Sequence, residues 1–369
     1  MSEFYDALET RDPAVREAAL CAALAAQVAA AQRTPAFAEI LRGVDAAAIT
    51  SRAALAQLPV TRKSALLERQ KAQRAQDPFG GFSAIGWRNL GMARTARRVF
   101  QSPGPIYEPE GHDADYWRFA RALHAAGFRA GDLVHNSFSY HLTPAGLMLE
   151  TGAQALGCTV FPGGVGNTEL QLQAMAELRA DGYAGTPSFL RIVLEKADEA
   201  GLALPALRKA SVGGEAFPAA LRDQLRARGI EAYQNYGTAD LGLIAYETAA
   251  REGLVLDEGV IVEIVRPGTG EPVAEGEVGE VVVTPLNRDY PLVRFGTGDL
   301  SAILPGHCPT GRTHTRIKGW MGRADQTAKV RGMFVHASQV ADVLKRHAEL
   351  SRARLVIEGE MANDRMTLR

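Results

Sequence analysis

Between residues 115 and 212 the sequence repeats one pattern four times: a helix-length amphipathic stretch, a glycine, then a short apolar run. The helical stretches cover 116–128, 147–157, 170–178 and 189–200, and the apolar runs fall at 132–134, 158–161, 182–184 and 210–212. Such alternation predicts parallel strands joined by crossover helices, hence an α/β sheet buried on both faces. Near Val260 the period falls to two, and short runs are separated by turns at Pro267-Gly268 and Gly270. This predicts a small β-barrel or antiparallel sheet over residues 257–305.

A third region follows Gly322, with two short strands about Gly332, a helix over 338–347 and a strand at 355–357. Residues 366–369 alternate like one more strand, with no turn or partner after them, so this region reads as incomplete. At the other end, Asp12 before Pro13 is a helix N-cap, and Leu20, Leu24 and Val28 lie at helical spacing in a packing helix that runs to about Gln32. The fold class is therefore α/β: a large N-terminal domain, residues 1–322, of mostly parallel α/β sheets plus a small β-barrel, then a small, incomplete α+β C-terminal domain, residues 323–369.

Charge balance narrows the function classes. With 41 Lys and Arg against 42 Asp and Glu, the chain has no basic excess for nucleic acid or a membrane surface. Three scattered cysteines, Cys21, Cys158 and Cys308, make no disulfide framework and favour a reducing compartment. The N-terminus is acidic and lacks the apolar segment of a signal peptide, and no run of about 18 apolar residues occurs. A cytoplasmic protein is expected, with no nucleic-acid or membrane partner; oligomeric state stays open, a homodimer among the options.

Three stretches have the makings of a ligand site. Gly213, Gly214 and Glu215 follow a buried strand, where paired glycines let backbone approach a flat ligand, although an ordinary strand-to-helix turn has the same look. Tyr236, Gly237, Thr238 and Asp240 offer a ring, a hydroxyl and a carboxylate suited to stacking, phosphate contact and a Mg²⁺ ligand; a polar turn with a buried tyrosine is the alternative. The run Arg294-Phe295-Gly296-Thr297-Gly298-Asp299 sets an aspartate between glycine-bearing turns, which suits a ribose diol, and is also a common hairpin turn. A glycine cluster at 163–166 lacks the third glycine and the distal acidic residue of a dinucleotide loop, so NAD is not expected. His135 and His141 flank an aromatic strand end, where a structural or wall role is favoured over a general base.

In order and spacing with Gly322-Arg323-Ala324-Asp325, and with the pieces at 58–63, 135–138, 166–169 and 186–188, these stretches resemble the phenylacetate-CoA ligase family of the adenylate-forming superfamily. The resemblance runs from Leu58 to the C-terminus. It implies an ATP-dependent, AMP-forming acid:CoA ligase, with ATP/AMP, Mg²⁺ and CoA as cofactors and a carboxylic acid as substrate, an aryl acid such as phenylacetate among the candidates. By the same resemblance Gly213, Gly214 and Glu215 would line the adenine pocket, with Tyr236 stacked on the base and Gly237 and Thr238 beside it. Asp299 would hold the ribose hydroxyls with Arg323. Asp240 would be the metal ligand and Asp325 the hinge of the small domain, both with catalytic roles, while Phe138, Tyr140 and His141 would face the acid.

Several positions depart from the family pattern. The Ser/Thr/Gly-rich phosphate loop is replaced at residues 100–107 by a segment containing Pro103 and Pro105, which removes backbone donors. Ala239 replaces a hydroxyl residue, and the family's catalytic lysine would lie past Arg369. Where relatives carry a cysteine pair, this chain has Cys308 alone beside His307, so no zinc is expected. The altered loop keeps open an alternative, a nucleotide- or adenylate-binding homologue with lost or altered ligase activity. A third reading transfers the acyl group to an amine or carrier protein.

Overall fold

A computed structural model describes residues 3–92, 94–324, 328–330, 333–335, 340, 343–344, 346–347, 353–359 and 364–369. Asp12 caps α1 (Pro13–Gln32) by accepting from the amides of Ala14 and Val15. This helix has the length and hydropathy of a membrane-crossing segment, but its Leu20, Leu24 and Val28 are buried in a core shared with Phe37 of α2 (Pro35–Ile40). Next come α3 (Arg52–Ala56), β1 (Thr61–Arg62), α4 (Lys63–Gln73) and the hairpin β2 (Arg98–Ser102) and β3 (Ile106–Glu110).

The expected crossover units follow. They are α5 (Phe119–Ala125), β4 (Leu133–Asn136), α6 (Ala145–Ala155), β5 (Thr159–Pro162), α7 (Thr168–Leu178), β6 (Gly182–Gly185), α8 (Pro187–Glu199), β7 (Lys209–Val212) and α9 (Ala219–Ala227). Then come β8 (Glu231–Thr238), β9 (Gly242–Glu247), β10 (Leu254–Leu256), β11 (Val260–Val265), β12 (Gly279–Pro285), β13 (Phe295–Ser301), β14 (Ile303–Leu304) and β15 (Arg316–Ile317). One nine-stranded sheet has the order β14-β15-β10-β9-β8-β7-β6-β4-β5. It is parallel from β5 to β8 and antiparallel from β8 to β14, so the expectation of mostly parallel sheets holds for one half. The change occurs because only residues 239–241 link β8 to β9, with Gly242 at φ +74°, too short for a crossover helix.

The second sheet has the order β1-β13-β12-β11. It is an open sheet and not a barrel: β11, β12 and β13 run antiparallel, the two-residue β1 joins β13 in parallel, and among the described residues no ladder closes β11 onto β1. Beyond residue 324, β16 (Ala328–Val330) pairs with β17 (Met333–Val335), and β18 (Leu355–Glu358) pairs with β19 (Arg365–Leu368). The last strand, without a partner in the sequence reading, thus has one, because residues 355–358 supply an antiparallel edge in register from Leu355↔Leu368 to Glu358↔Arg365.

Arg294 holds the second sheet to its surroundings. Its side chain is buried, and it pairs with Glu263 of β11 through Nε and Nη2, both at 3.0 Å. The same guanidinium donates to the carbonyls of Ala56 (2.9 Å), Leu58 and Gly270 (2.7 Å). Burial pushes the Glu263 carboxyl above its ordinary value even with this cation beside it. Desolvation therefore offsets the pairing, and the pair fixes geometry more than it adds net stability. Its carbonyl accepts from Thr61 N at 2.8 Å, which seats β1 parallel to β13.

Arg294→Ala is expected to cost about 3–5 kcal/mol, because it leaves Glu263 buried without its partner. Pairing Arg294→Met with Glu263→Leu should recover much of that loss in denaturant titrations. A single-variant cost below about 1 kcal/mol, the range of exposed ion pairs, would contradict this placement.

Candidate functional site

The three glycine-bearing stretches converge at the ends of β7, β8 and β13. A Cβ on Gly213 would lie 2.2 Å from Asn235 Oδ1, so only glycine lets the turn after β7 approach β8 this closely. Asn235 is itself held by its Nδ2 donating to Ser211 Oγ at 2.9 Å. Residues 235–238, expected in a turn beyond the strand, form the end of β8, with a register shift between Tyr236 and Gly237. This extension lets the Tyr236 hydroxyl reach Asp299 Oδ2 at 2.9 Å. Burial, reinforced by the Asp299 charge, keeps that phenol protonated and donating.

Asp299 lies within β13, so residues 295–299 are strand and not a hairpin turn, with Arg294 at φ +46° just before the strand. Its second oxygen, Oδ1, accepts from Arg323 Nη1 at 2.9 Å and from Trp320 Nε1 at 3.1 Å. Arg323 also donates to the Thr297 carbonyl at 3.1 Å. The carboxylate is thereby fixed by three donors from two segments, the end of β8 and the stretch after β15, and Trp320, half exposed, is the outermost of them.

A second cluster adjoins this one. Lys63, the first residue of α4, donates to Asp240 Oδ2 at 2.7 Å. Burial works against the Lys63 ammonium, but the charges of Asp240 and Glu108 outweigh it and raise its pKa. Glu108 comes from β3 of the hairpin that stands where the phosphate loop was expected, and Ser102 Oγ donates to its Oε1. Burial and the charge of Asp240 push the Glu108 carboxyl well above its ordinary range. The hairpin is gripped by Gln70 of α4, which bonds both the amide and the carbonyl of Tyr107 at 2.9 Å. Gln101 N donates to the Leu142 carbonyl at 2.9 Å, so this hairpin touches the loop carrying Tyr140 and His141.

The remaining expected residues are placed as follows. Tyr140 OH accepts from Asn136 Nδ2 at 2.7 Å, Phe138 is half-buried against the core that includes Phe119, and His141 is exposed. His135 is locked against Gln171 at 2.7 Å and stacked on Phe161, a wall role. Glu215 accepts from the Ser188 amide at 2.7 Å, at the start of α8, and Gly214 is exposed beside it. Thr238 Oγ1 accepts from Leu241 N at 3.2 Å. Asp325 lies outside the described residues. Cys308 is buried against Thr248 and Thr310. Among the described residues no group of three or more His, Cys, Asp or Glu side chains is gathered to hold a metal. Asp240 Oδ1 is nonetheless buried without a partner, as a carboxylate awaiting a cation would be.

Sequence reasoning missed Lys63, Glu108, Tyr290 and Trp320. Lys63 stood in the matching piece at 58–63, but nothing local ties it to a carboxylate far along the chain.

A family model for AMP-binding enzymes matches residues 140–285. The phenylacetate-coenzyme A ligase of Aromatoleum evansii is 32% identical over 325 residues, covering 84% of this chain and 70% of that enzyme. The Thermus thermophilus phenylacetate-coenzyme A ligase is 32% identical over 330 residues, covering 85% and 71%. The chain belongs to the phenylacetate-CoA ligase family. Within solved folds, a 2-hydroxyisobutyryl-CoA ligase in complex with 2-HIB-AMP and CoA superposes on the family member described here with a TM-score of 0.84 at 23% identity, over all of this chain and 81% of the other. An amide bond synthetase from Marinactinospora thermotolerans is more distant, with a TM-score of 0.53 at 18% identity over 84% and 69%.

Tyr236→Phe removes one donor from a buried carboxylate and is expected to lower stability by about 1.5–3 kcal/mol. Urea titration should show a lower midpoint at an unchanged slope. An unchanged midpoint would mean that the Tyr236–Asp299 bond does not form.

Proposed function

We propose that this chain is an AMP-forming acid:CoA ligase whose nucleotide site runs from Asp299, at the ribose, to Lys63 and Asp240, at the phosphates. The observation that carries the reading is the Tyr236–Asp299 bond, which joins β8 to β13 beside Gly213. A carboxylate held by three donors keeps lone pairs in fixed directions, which suits the two hydroxyls of a ribose. The adenine would lie between the Gly213–Glu215 turn and the ring of Tyr236. The acid would lie toward Phe138, Tyr140 and His141, near the hairpin through Gln101.

In the first step a carboxylate oxygen of the acid attacks the α-phosphorus of ATP, and the bond to pyrophosphate breaks, leaving an acyl-adenylate. Lys63 places a cation beside the phosphates, where charge develops, and fixed electrostatics of this kind supply much of the rate. Asp240 would hold Mg²⁺, whose chemistry there would be to offset the charge of the departing pyrophosphate. In the second step the CoA thiolate, its proton given to solvent, attacks the acyl carbon and AMP leaves. Asp325 is proposed as the hinge for the small-domain movement between steps. Three free cysteines accord with a reducing, cytoplasmic setting.

A second reading rests on the hairpin. Pro103 and Pro105 offer no amide donors to phosphate, and Glu108 adds an acidic side chain near it. A protein that binds nucleotide without activating an acid would carry such a change.

Release of AMP and pyrophosphate across a panel of aryl and alkyl acids, with and without CoA, separates the two readings. The ligase is expected to release AMP only when acid and CoA are both present, and Lys63→Ala should cut that rate about 100-fold. If no acid gives AMP while ATP still raises the melting temperature, the binding-protein reading stands. In either case Asp299→Ala should weaken AMP binding about 10- to 100-fold, the loss of one or two hydrogen bonds to a charged group. Unchanged affinity would remove Asp299 from the ribose.

A further inference from the structure

Three side chains at the phosphate end bury a polar atom with no partner: Asp240 Oδ1, Glu108 Oε2 and the Tyr290 hydroxyl. Their residues are 3%, 0% and 1% exposed. The two carboxylates lie within Coulombic reach of each other, and both act on Tyr290 and Lys63. Buried polar atoms in native folds are paired, and the exceptions call for a missing water or ion.

One ammonium serves this pair. Lys63 bonds Asp240 Oδ2, Ser102 bonds Glu108 Oε1, and each carboxylate keeps one oxygen over. Two acidic side chains share the field of one lysine, so both can be ionised together only if a further cation joins them, and the phosphates of a nucleotide would increase that need. Water would satisfy the spare oxygens without letting both groups ionise. A divalent cation does both, and oxygen-only donors suit a hard one.

We propose that Glu108 and Asp240 together form a divalent-cation site that the protein builds for itself, able to take Mg²⁺ or Mn²⁺ before any nucleotide binds. Tyr290, neutral and buried within the field of both, has its hydroxyl free to serve the site. Glu108 then has a role that the ligase reading does not give it. The segment that lost amide donors to phosphate gained a metal ligand, and incoming phosphates meet a bound cation instead of two acidic side chains. The inference rests on Asp240 being the metal carboxylate of the nucleotide site.

The test is Mn²⁺ titration of the nucleotide-free full chain, following loss of the free-ion paramagnetic resonance signal. One Mn²⁺ per chain is expected, with a Kd below about 1 mM, the weak end of carboxylate cation sites. Glu108→Gln, nearly the same shape, should weaken binding at least tenfold. Asp299→Ala should leave Mn²⁺ binding intact while losing AMP, so failure of the ribose assignment shows separately from failure of the cation site. Melting curves establish that each variant is folded. Should Glu108→Gln not fold, the nucleotide-free titration of the unaltered chain still decides. Absence of Mn²⁺ binding there, or a folded Glu108→Gln that binds as tightly as the unaltered chain, overturns the proposal.

Discussion

Arg294 is a cation in the interior of the smaller sheet, and everything around it is arranged to satisfy it. Five donors cannot be buried without acceptors, so Glu263 and the carbonyls of Ala56, Leu58 and Gly270 must converge on one guanidinium. That requirement brings together the end of α3, β11 and the turn that follows it. The Arg294 carbonyl then receives the Thr61 amide, which sets the register of β1 on β13. Lys63 follows immediately, so the constraint that fixes the sheet also delivers a cation to Asp240.

The two ends of the site differ in how completely the protein satisfies itself. At the proposed ribose end Asp299 is answered by Tyr236, Trp320 and Arg323. A ligand arriving there meets a carboxylate already oriented, and Trp320, the most exposed donor, is the one best placed to give way. At the proposed phosphate end Lys63 bonds Asp240, Ser102 bonds Glu108, and each carboxyl retains an unanswered oxygen. Such a pocket is costly when empty, and a cationic or cation-bearing ligand relieves it. On the proposed reading the substituted hairpin need not abolish function, because it changes how phosphate charge is met.

Much of this was legible in the residues, for identifiable reasons. Helix and strand periods at 116–212 encode burial directly, and the parallel half of the large sheet followed from them. The 294–299 run and Tyr236, singled out separately in the sequence, meet through the Tyr236–Asp299 bond, and both bonded residues lie on strands where turns were the alternative reading. A period-two signal is weak in a stretch such as Asn235-Tyr236-Gly237-Thr238, where glycine and polar residues interrupt it and pairing with β9 supplies the missing stability. The antiparallel half, the open form of the small sheet and the pairing of Leu355–Glu358 with Arg365–Leu368 depend on which edges meet, and no local pattern records that. Lys63–Asp240 and the Glu108 carboxylate escaped for the same reason, since charge partners distant in sequence leave no mark in either segment.

The central claim is that one site holds ribose at Asp299 and phosphate at Lys63 and Asp240. A structure of the chain bound to a non-hydrolysable acyl-adenylate tests it most directly. The account predicts both ribose hydroxyls on the Asp299 carboxylate, the Trp320 indole displaced from Oδ1, and the phosphate-mimicking group beside Lys63. Adenosine bound away from β13, or a ribose that leaves Asp299 bonded only to Tyr236, Trp320 and Arg323, would contradict it.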